Sequence, residues 1–275
     1  TTPDPDFVDR LDRARALLHG RRIVALTGAG VSTASGIPDY RSPGAPRRTP
    51  MTLQQFLGSA EFRRRYWARN HLGWRHMDAA RPNAAHLALA DLARRHDLTL
   101  VTQNVDDLHE RAGSEDVAHL HGSLFAFRCT ICEKPAANPE FPVEPVERLS
   151  PPKCSLCGNL VRPGVVWFGE ALPMSDWERA EESMRETDFV VIVGTSGVVT
   201  PAANLPLVAS ERGVPILEIS PDDTGLTSVA TWSWRTTAAV GLPAFVAYAI
   251  VLAQRSVRRD EPQRVPALVS AATGR

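Results

Sequence analysis

The sequence predicts an α/β protein in which a Rossmann-like, doubly wound parallel sheet carries a smaller lobe. Apolar, β-branched strands alternate with helical segments, and most of these strands end in small or polar residues. All four cysteines lie in two Cys-x-x-Cys pairs within one proline-rich stretch, which predicts a separate metal-binding lobe. A chain of 275 residues is long enough to bury an α/β core and to add such a lobe.

The first predicted elements surround a glycine turn. Apolar residues at helical spacing predict a helix over 7–19, and the run 23–26 predicts a buried strand. The turn Thr27-Gly-Ala-Gly-Val-Ser32 follows, and a helix that begins near Val31 would direct free N–H groups at a pyrophosphate. Because position 33 is Thr, the full dinucleotide fingerprint is absent, and a glycine turn without any ligand is an equally good interpretation.

A second group of elements is rich in aromatic and proline residues. Prolines at 43, 46 and 50 predict a mobile loop over 43–50. Helical spacing returns over 52–77 with five aromatic residues, too many for a solvated surface, so this segment should pack as a lobe or line a pocket. Another helix is expected over 82–96.

The remaining strands place polar residues along one edge of the sheet. Strands are predicted over 98–102, 189–193 and 215–219, and polar residues follow each of them. In parallel sheets, ligands bind at the carboxyl ends of the strands. We assign a Rossmann-like domain to 1–43, 86–127 and 161–253, a helical module to 44–85, a zinc-binding module to 128–160 and a flexible tail to 254–275.

Composition excludes some classes of partner. The 31 basic residues balance 31 acidic ones, so no net field favours nucleic acid or a membrane surface. No basic-then-apolar leader and no apolar run of about 18 residues is visible, and we expect a cytoplasmic protein. The sequence does not predict an oligomeric state.

The cysteine pairs predict a structural zinc site. Cys129, Cys132, Cys154 and Cys157 offer four thiolates, which match tetrahedral Zn²⁺ and leave no open position for water. Two disulfides are the alternative, which an intracellular setting disfavours.

Together the motifs resemble those of the sirtuin family of NAD-dependent protein deacylases, in order and spacing, over roughly residues 7–250. The residues that carry the resemblance are Gly28-Ala-Gly-Val-Ser32, Gly36-Ile-Pro-Asp-Tyr-Arg41, Thr102-Gln-Asn-Val-Asp106, Leu108-His109, His119-Leu-His121-Gly122, the paired cysteines, Arg162-Pro-Gly-Val-Val-Trp-Phe-Gly-Glu170 and Gly194-Thr-Ser196. The segment from Arg65 through Asn83 is most similar to the mitochondrial, class II branch and its bacterial relatives. The resemblance implies removal of an acyl group from a protein or peptide lysine, with NAD consumed and an O-acyl-ADP-ribose formed.

The resemblance also implies residue roles. His121 would be the catalytic base, Asp106 would grip the nicotinamide carboxamide, and residues 166–170 would form a strand that pairs with the substrate. NAD would be contacted by Gly28, Ala29, Gly30, Ser32, Tyr40, Arg41, Gln103, Asn104, Asp106, Gly194, Thr195, Ser196 and Glu218. The acyl-lysine would be contacted by Val166, Trp167, Phe168, Gly169, Glu170, Tyr66 and Arg69.

Several alternatives remain open on the residues alone. An imidazole suits a base that works near neutral pH, but His109 and His119 rival His121 in pattern. Asp106 could instead cap a helix, with Asp107 taking the other role. Tyr66 and Arg69 would grip an acidic acyl group, or would be a core tyrosine beside a surface arginine. Rival functions are mono-ADP-ribosyl transfer, a non-catalytic zinc-ribbon module and a dehydrogenase.

Overall fold

A computed structural model of the chain describes residues 21–39 and 51–247. Its strands are β1 (Arg22–Thr27), β2 (Asp97–Thr102), β3 (Ala118–His119), β4 (Gly122–Cys129), β5 (Pro135–Ala136), β6 (Val161–Val165), β7 (Phe189–Val193), β8 (Ile216–Ile219) and β9 (Trp232–Trp234). Its helices are α1 (Leu53–Gly58), α2 (Ala60–Ala79), α3 (Ala84–Arg95), α4 (Leu108–Arg111), α5 (Met174–Glu186) and α6 (Leu205–Ser210), and residues 238–247 are also helical.

The larger sheet is parallel, with the strand order β3-β2-β1-β7-β8-β9. This is the order of a doubly wound dinucleotide-binding sheet, in which the direction of winding reverses between the two central strands. Here those strands are β1 and β7, whose register pairs Leu26 with Ile192 and Thr27 with Val193. A cleft for a nucleotide is therefore expected beyond the ends of these two strands.

Both faces of this sheet are covered, which explains why its strands are almost continuously apolar. On one face, Ile23, Leu100 and Val191 pack against α3 and the helix at 238–247. On the other face, Val24 and Ile192 pack against Met184 of α5 and neighbouring apolar residues. The two layers therefore bury both faces of the centre of the sheet.

The smaller lobe is built around an antiparallel sheet with the order β5-β4-β6. Its core joins aromatic residues of α1 and α2, such as Phe56 and Trp67, to Phe127 of β4 and to the buried Cys129 and Cys154. The two predicted modules thus share one hydrophobic core. The domain boundaries stay a prediction, and β4 crosses the boundary placed between 127 and 128.

Two predicted elements differ from the structure. No α-helix begins near Val31, because the chain forms two 3₁₀ turns, Ala29–Val31 and Thr33–Ser35, and the second ends at Gly36 with a φ of +84°. The predicted helix over 52–77 is two helices, α1 and α2, separated at Ser59, whose side chain accepts from the Phe62 N–H. The predicted helix at 7–19, the loop at 43–50 and the tail at 254–275 lie outside the described residues. In the described part of the chain, no helix combines the length and the apolar character needed to cross a bilayer.

Candidate active site

The turns after β1 and β7 are in direct contact. The N–H of Gly28 donates to the Val193 carbonyl at 3.1 Å, and the N–H of Gly30 donates to the Gly194 carbonyl at 2.8 Å. A Cβ on Gly30 would lie 2.8 Å from the Gly194 Cα atom, so glycine is needed here for packing between the turns. The N–H groups of Gly28 and Gly30 are therefore paired within the protein, and the contact of these two residues with NAD stays a prediction. The Ala29 N–H has no partner among the described residues and is the one that this turn leaves for an anion.

A buried polar network lies beneath the same turn. The Asn83 N–H donates to His86 Nδ1 at 3.2 Å, so the neutral ring carries its proton on Nε2, 3.3 Å from the Ser32 hydroxyl. Ser32 also accepts from the Asn104 side-chain amide at 3.1 Å and donates to Asp106 Oδ2 at 2.9 Å. Since the Ser32 side chain is fully buried, it acts on the site through Asp106 and does not face a ligand.

Asp106 caps the start of α4, which was the alternative to a role in ligand binding. The direction of its carboxylate is also fixed by Ser32. Its Oδ1 accepts from the Leu108 N–H at 3.2 Å at the start of α4, while Asp107 pairs with Arg111 at 2.9 Å. Burial raises the pKa of Asp106, and its hydrogen bonds to Leu108 and Ser32 offset part of that increase. A buried carboxylate with an elevated pKa at a strand end is typical of functional sites.

His121 differs from the other histidines of the described site in having an open nitrogen. Its Nδ1–H donates to the Gln103 carbonyl at 2.9 Å, and Nε2 has no partner among the described residues and is not enclosed. The ring is therefore held as the tautomer whose Nε2 lone pair is free to accept a proton. Burial lowers the pKa of His121, and the Gln103 hydrogen bond opposes that shift, so the ring is in its basic form at neutral pH. Gly122 follows with a φ of +69°, and a Cβ there would lie 2.0 Å from the Gly164 carbonyl oxygen.

The two rivals of His121 have other partners. His109 is buried, with Nε2 at 3.1 Å from the Thr27 hydroxyl, and burial lowers its pKa to about 3. His119 places Nε2 at 2.5 Å from Glu110. Neither ring offers a free lone pair on Nε2 to a ligand.

The predicted residues after β7 line the same edge of the sheet. The Gln103 side-chain amide donates to the Thr195 hydroxyl at 2.9 Å, which links the end of β2 to the end of β7. Gly194 adopts a φ of +60° and donates its N–H to the Ile219 carbonyl. Ser196 accepts from the Gly225 N–H through its carbonyl. These contacts bring the predicted nucleotide-binding residues of three strand ends together.

Glu218 does not lie where a ribose could reach it. Its carboxylate is fully buried and accepts from the hydroxyls of Thr224, Thr227 and Ser233 and from Arg235 at 2.8 Å. Burial opposes ionisation, but these donors outweigh it and hold the pKa of Glu218 below its usual value. The predicted ribose contact is contradicted by this closed network, which instead fixes the segment after β8.

The segment after β6 is a turn. The strand ends at Val165, and in residues 166–170 the only strand-like pairing is an isolated bridge between Thr52 and Phe168. Residues 166–170 are therefore not a regular strand in the structure, and their pairing with a substrate backbone stays a prediction. The Val166 N–H donates to the His121 carbonyl at 2.8 Å, which places the start of this turn beside the candidate base.

The carboxylate of Glu170 is bound by neighbouring groups of the protein, Arg162 and the Trp167 N–H. It makes a two-pronged ion pair with the buried Arg162 at 2.5 and 2.7 Å and accepts from the Trp167 N–H at 2.8 Å. The Arg162 guanidinium lies 3.5 Å from the centre of the Trp167 ring. Burial opposes the charge of Glu170, yet Arg162 keeps the pKa of the carboxyl below its usual value. We conclude that Glu170 shapes the segment and is not free to bind substrate.

Tyr66 and Arg69 are in different environments. Tyr66 is buried between the rings of Phe56 and Trp167, its hydroxyl accepts from the Trp167 indole at 3.2 Å, and burial raises its pKa to about 12. Arg69 is exposed, with its guanidinium carbon 6.0 Å from the centre of the Tyr66 ring. The arrangement matches a core tyrosine beside a surface arginine. Tyr40 and Arg41 lie outside the described residues.

The four cysteines are placed to hold a metal ion. All four are free thiols, their Sγ atoms lie within 4.8 Å of one another, and two Sγ pairs are 3.4 and 3.8 Å apart. Tetrahedral zinc with thiolate bonds of about 2.3 Å needs sulfur atoms about 3.8 Å apart. The donor set and its spacing therefore fit a closed, structural Zn²⁺ site.

Sequence reasoning missed the supporting roles of Asn83 and His86. Asn83 caps α3 by accepting from the Ala85 N–H at 2.8 Å, and its amide donates to the Val31 carbonyl and the Ser35 hydroxyl. One side chain thus joins α3 to the glycine turn. The signal was available, since Asn followed three residues later by His has the form of a capping box with imidazole in place of a glutamine.

Comparisons with known proteins agree with this geometry. A model of the Sir2 family matches residues 28–201. NAD-dependent protein deacylase 2 of Corynebacterium efficiens is 54% identical over 244 residues, which are 85% of this chain and 95% of the relative.

Two solved structures extend the similarity to the fold. A Sir2 homolog–NAD complex has a TM-score of 0.77 at 41% identity, covering 89% of this chain and 94% of that one. A structure of Sir2 bound to acetylated peptide has a TM-score of 0.71 at 30% identity, covering 93% and 99%. With the strand order, the cysteine cluster and the open imidazole of His121, these similarities show that the chain belongs to the Sir2 family.

Proposed function

We propose that this chain removes acyl groups from lysine side chains of proteins or peptides and consumes NAD as a co-substrate. Membership in the Sir2 family and relatives named NAD-dependent protein deacylase give the reaction class. The observation that carries the residue assignment is the free Nε2 of His121, whose ring is held by Gln103 in the segment that also carries the buried Asp106. The products are the free lysine, nicotinamide and an O-acyl-ADP-ribose.

His121 supplies the base. NAD contributes a ribose that accepts the acyl oxygen once nicotinamide has left, and a ribose hydroxyl must then lose a proton. The Gln103 carbonyl holds the proton of His121 on Nδ1, so Nε2 is the atom that accepts the ribose proton. An imidazole with a pKa below its usual value is unprotonated at pH 7, as this step requires.

Asp106 supplies the grip on nicotinamide. The leaving group carries a carboxamide whose N–H₂ needs an acceptor, and a carboxylate suits that donor. Ser32 and the Leu108 N–H occupy one site on each Asp106 oxygen and fix its direction. Each carboxylate oxygen keeps a second lone pair, and one of these would accept from the carboxamide.

The zinc site supports the reaction indirectly. When bound, Zn²⁺ cross-links the two cysteine pairs and holds no open position for substrate. Two of its four ligands, Cys129 and Cys154, lie in the core that contains Phe127 and Trp167. Trp167 belongs to the turn that starts beside His121. The metal therefore stabilises one wall of the site.

The test is nicotinamide release from NAD with acetyl-, succinyl-, glutaryl- and branched-acyl-lysine peptides, with the acyl product identified by mass spectrometry. Replacement of His121 by Ala should reduce deacylation by about 10²–10⁴, the usual contribution of a general base. His96→Ala, at the opposite end of β2 from the site, should keep the parent rate. An H121A variant as fast as the parent would refute the assignment, and ADP-ribose attached to protein in place of acyl-ADP-ribose would indicate ADP-ribosyl transfer.

The same panel decides the acyl preference. Arg69→Met removes an exposed guanidinium beside Tyr66 and preserves the aliphatic stem. A loss confined to the succinyl and glutaryl peptides would show that Arg69 grips acidic acyl groups. If Arg69→Met and the parent have the same rate on every peptide, Arg69 has no role in acyl recognition and is a surface residue.

A further inference from the structure

His119 lies between two hydrogen-bond acceptors. At the end of β3, its Nε2 is 2.5 Å from Glu110 Oε1 and its Nδ1 is 3.4 Å from the Asn104 carbonyl oxygen. A neutral imidazole has one N–H and could donate to only one of them. The imidazolium has two N–H groups, so only the charged form satisfies both contacts.

The surrounding charges favour the imidazolium. Glu110 on α4 and Asp176 on α5 are the acidic groups that act on His119, and His109 is a buried neighbour on α4. Arg179 is paired with Asp116 and Asp176. Burial lowers the pKa of His119, but the hydrogen bond and charge of Glu110 outweigh burial and raise it above the usual value.

The Asn104 carbonyl that His119 holds belongs to the turn that carries the candidate site. His121 donates to the preceding carbonyl, of Gln103, so two imidazoles hold consecutive peptide groups of one turn. The Asn104 N–H donates to the Thr102 hydroxyl, and its side-chain amide donates to Ser32, which in turn donates to Asp106. A shift of Asn104 would therefore be transmitted to the carboxylate assigned to nicotinamide.

We propose that His119, as an imidazolium held by Glu110, is a positioning residue that keeps Asn104 and its hydrogen-bonded partners in place for NAD. This inference rests on the proposed function, because it assigns the turn to NAD binding. Its contribution is complete at low pH and is lost as the pH rises through the titration of His119.

The first measurement is independent of turnover. Long-range ¹H–¹⁵N spectra of the chain labelled in histidine report the protonation of each ring, and His119→Gln identifies the signal. At pH 7 the His119 ring should carry protons on both nitrogens, whereas His121 should carry one on Nδ1. In Glu110→Gln, the His119 titration should move to lower pH because the carboxylate charge is gone. A neutral His119 ring at pH 7 in the parent would overturn the proposal.

The second measurement is NAD affinity by calorimetry across the same pH range. In the parent, affinity should fall by about tenfold along the His119 titration, as expected for loss of one charge-assisted hydrogen bond. E110Q should show that fall at lower pH, and H119Q should bind NAD about tenfold more weakly at pH 7 without the fall. The control Glu115→Gln removes an exposed carboxylate of the neighbouring loop and should follow the parent.

The outcomes separate this inference from the proposed function. A parent affinity that stays constant while the His119 signal titrates would refute the positioning role, whatever the deacylation rate. A chain that binds NAD along that titration but leaves every acyl-lysine peptide intact would support the positioning role and refute the function. In steady-state kinetics, H119Q should raise the KM for NAD and leave the KM for peptide unchanged.

Discussion

Lowering the pH from 7 to 5 should destabilise the protein, because two histidines that stay neutral in the folded state become protonated in the unfolded chain. His86 and His109 are fully buried, and their ring centres are 4.9 Å apart. Burial lowers the pKa of His86 to about 4, and burial together with the neighbouring His86 and His119 lowers that of His109 to about 3. Both rings contact the segment around the glycine turn, His86 through the Ser32 hydroxyl and His109 through the Thr27 hydroxyl.

The sign and the magnitude follow from proton linkage. In the unfolded chain both rings return to a pKa near 6.5, so below that pH the unfolded state binds protons that the folded state does not. The stabilisation is complete above pH 6.5 and is lost as the pH falls towards the folded-state pKa values. Between pH 7 and pH 5 the loss is about 2 kcal/mol for each histidine, or about 4 kcal/mol for both.

Urea unfolding at pH 7 and pH 5, followed by circular dichroism, measures this loss directly. In His86→Gln the new side chain can accept from the Asn83 N–H, as glutamine does at this position of a capping box, but it does not titrate. Its loss of unfolding free energy between the two pH values should be smaller than that of the parent by about 2 kcal/mol. The control is Leu87→Gln, which places the same new side chain at an exposed position of α3 without changing a titratable group and should keep the parent's difference.

The reasoning fails if H86Q and the parent lose the same free energy between pH 7 and pH 5. It also fails if L87Q reduces the difference as much as H86Q does. Either result would mean that the acid-sensitive groups lie elsewhere than beneath the glycine turn.

Two further predictions concern the metal site and Glu218. Chelation of the metal, or Cys154→Ser, should make residues 130–160 susceptible to limited proteolysis while the parallel sheet stays folded, because β5 is only two residues long. A zinc content below about one ion per purified chain would contradict the site. Glu218→Gln should lower the unfolding free energy by about 1.5–3 kcal/mol, because it weakens charge-assisted hydrogen bonds in a buried network. The affinity for NAD should not change. Weaker NAD binding at unchanged stability would show instead that Glu218 contacts the ribose.

The sequence was sufficient for the sheet and for the metal site because both depend on local patterns. Short segments rich in apolar and β-branched residues predicted β1, β2, β7 and β8, and each strand is found within one or two residues of the predicted bounds. Two Cys-x-x-Cys pairs limit the ligand set to four thiolates, and the four Sγ atoms do cluster. Such patterns predict the structure reliably because the spacing of residues along the chain determines which of them share a strand or a Cys-x-x-Cys turn.

Other details of the site could not be predicted from the sequence, because they depend on which partner satisfies a polar group in three dimensions. Glycine at 28 and 30 indicated close approach of a backbone, but the backbone that approaches is the turn at Gly194. Glu218 lies near a strand end, where its carboxylate could accept hydrogen bonds from a ligand, but four side chains from later in the chain already donate to it. A sequence shows which hydrogen-bond donors and acceptors are present, but it does not show which donor pairs with which acceptor.

The three histidines near the site illustrate how pairing decides function. In sequence, His109, His119 and His121 are near-equivalent, since each lies in a polar segment that follows a strand. In the structure, the Nε2 atom of His109 meets the Thr27 hydroxyl and that of His119 meets Glu110. One ring is thereby kept neutral in the core and another is kept as a cation. His121 alone of the three retains an Nε2 lone pair that is open at neutral pH. We therefore assign the role of base to His121, because the other two rings already have partners.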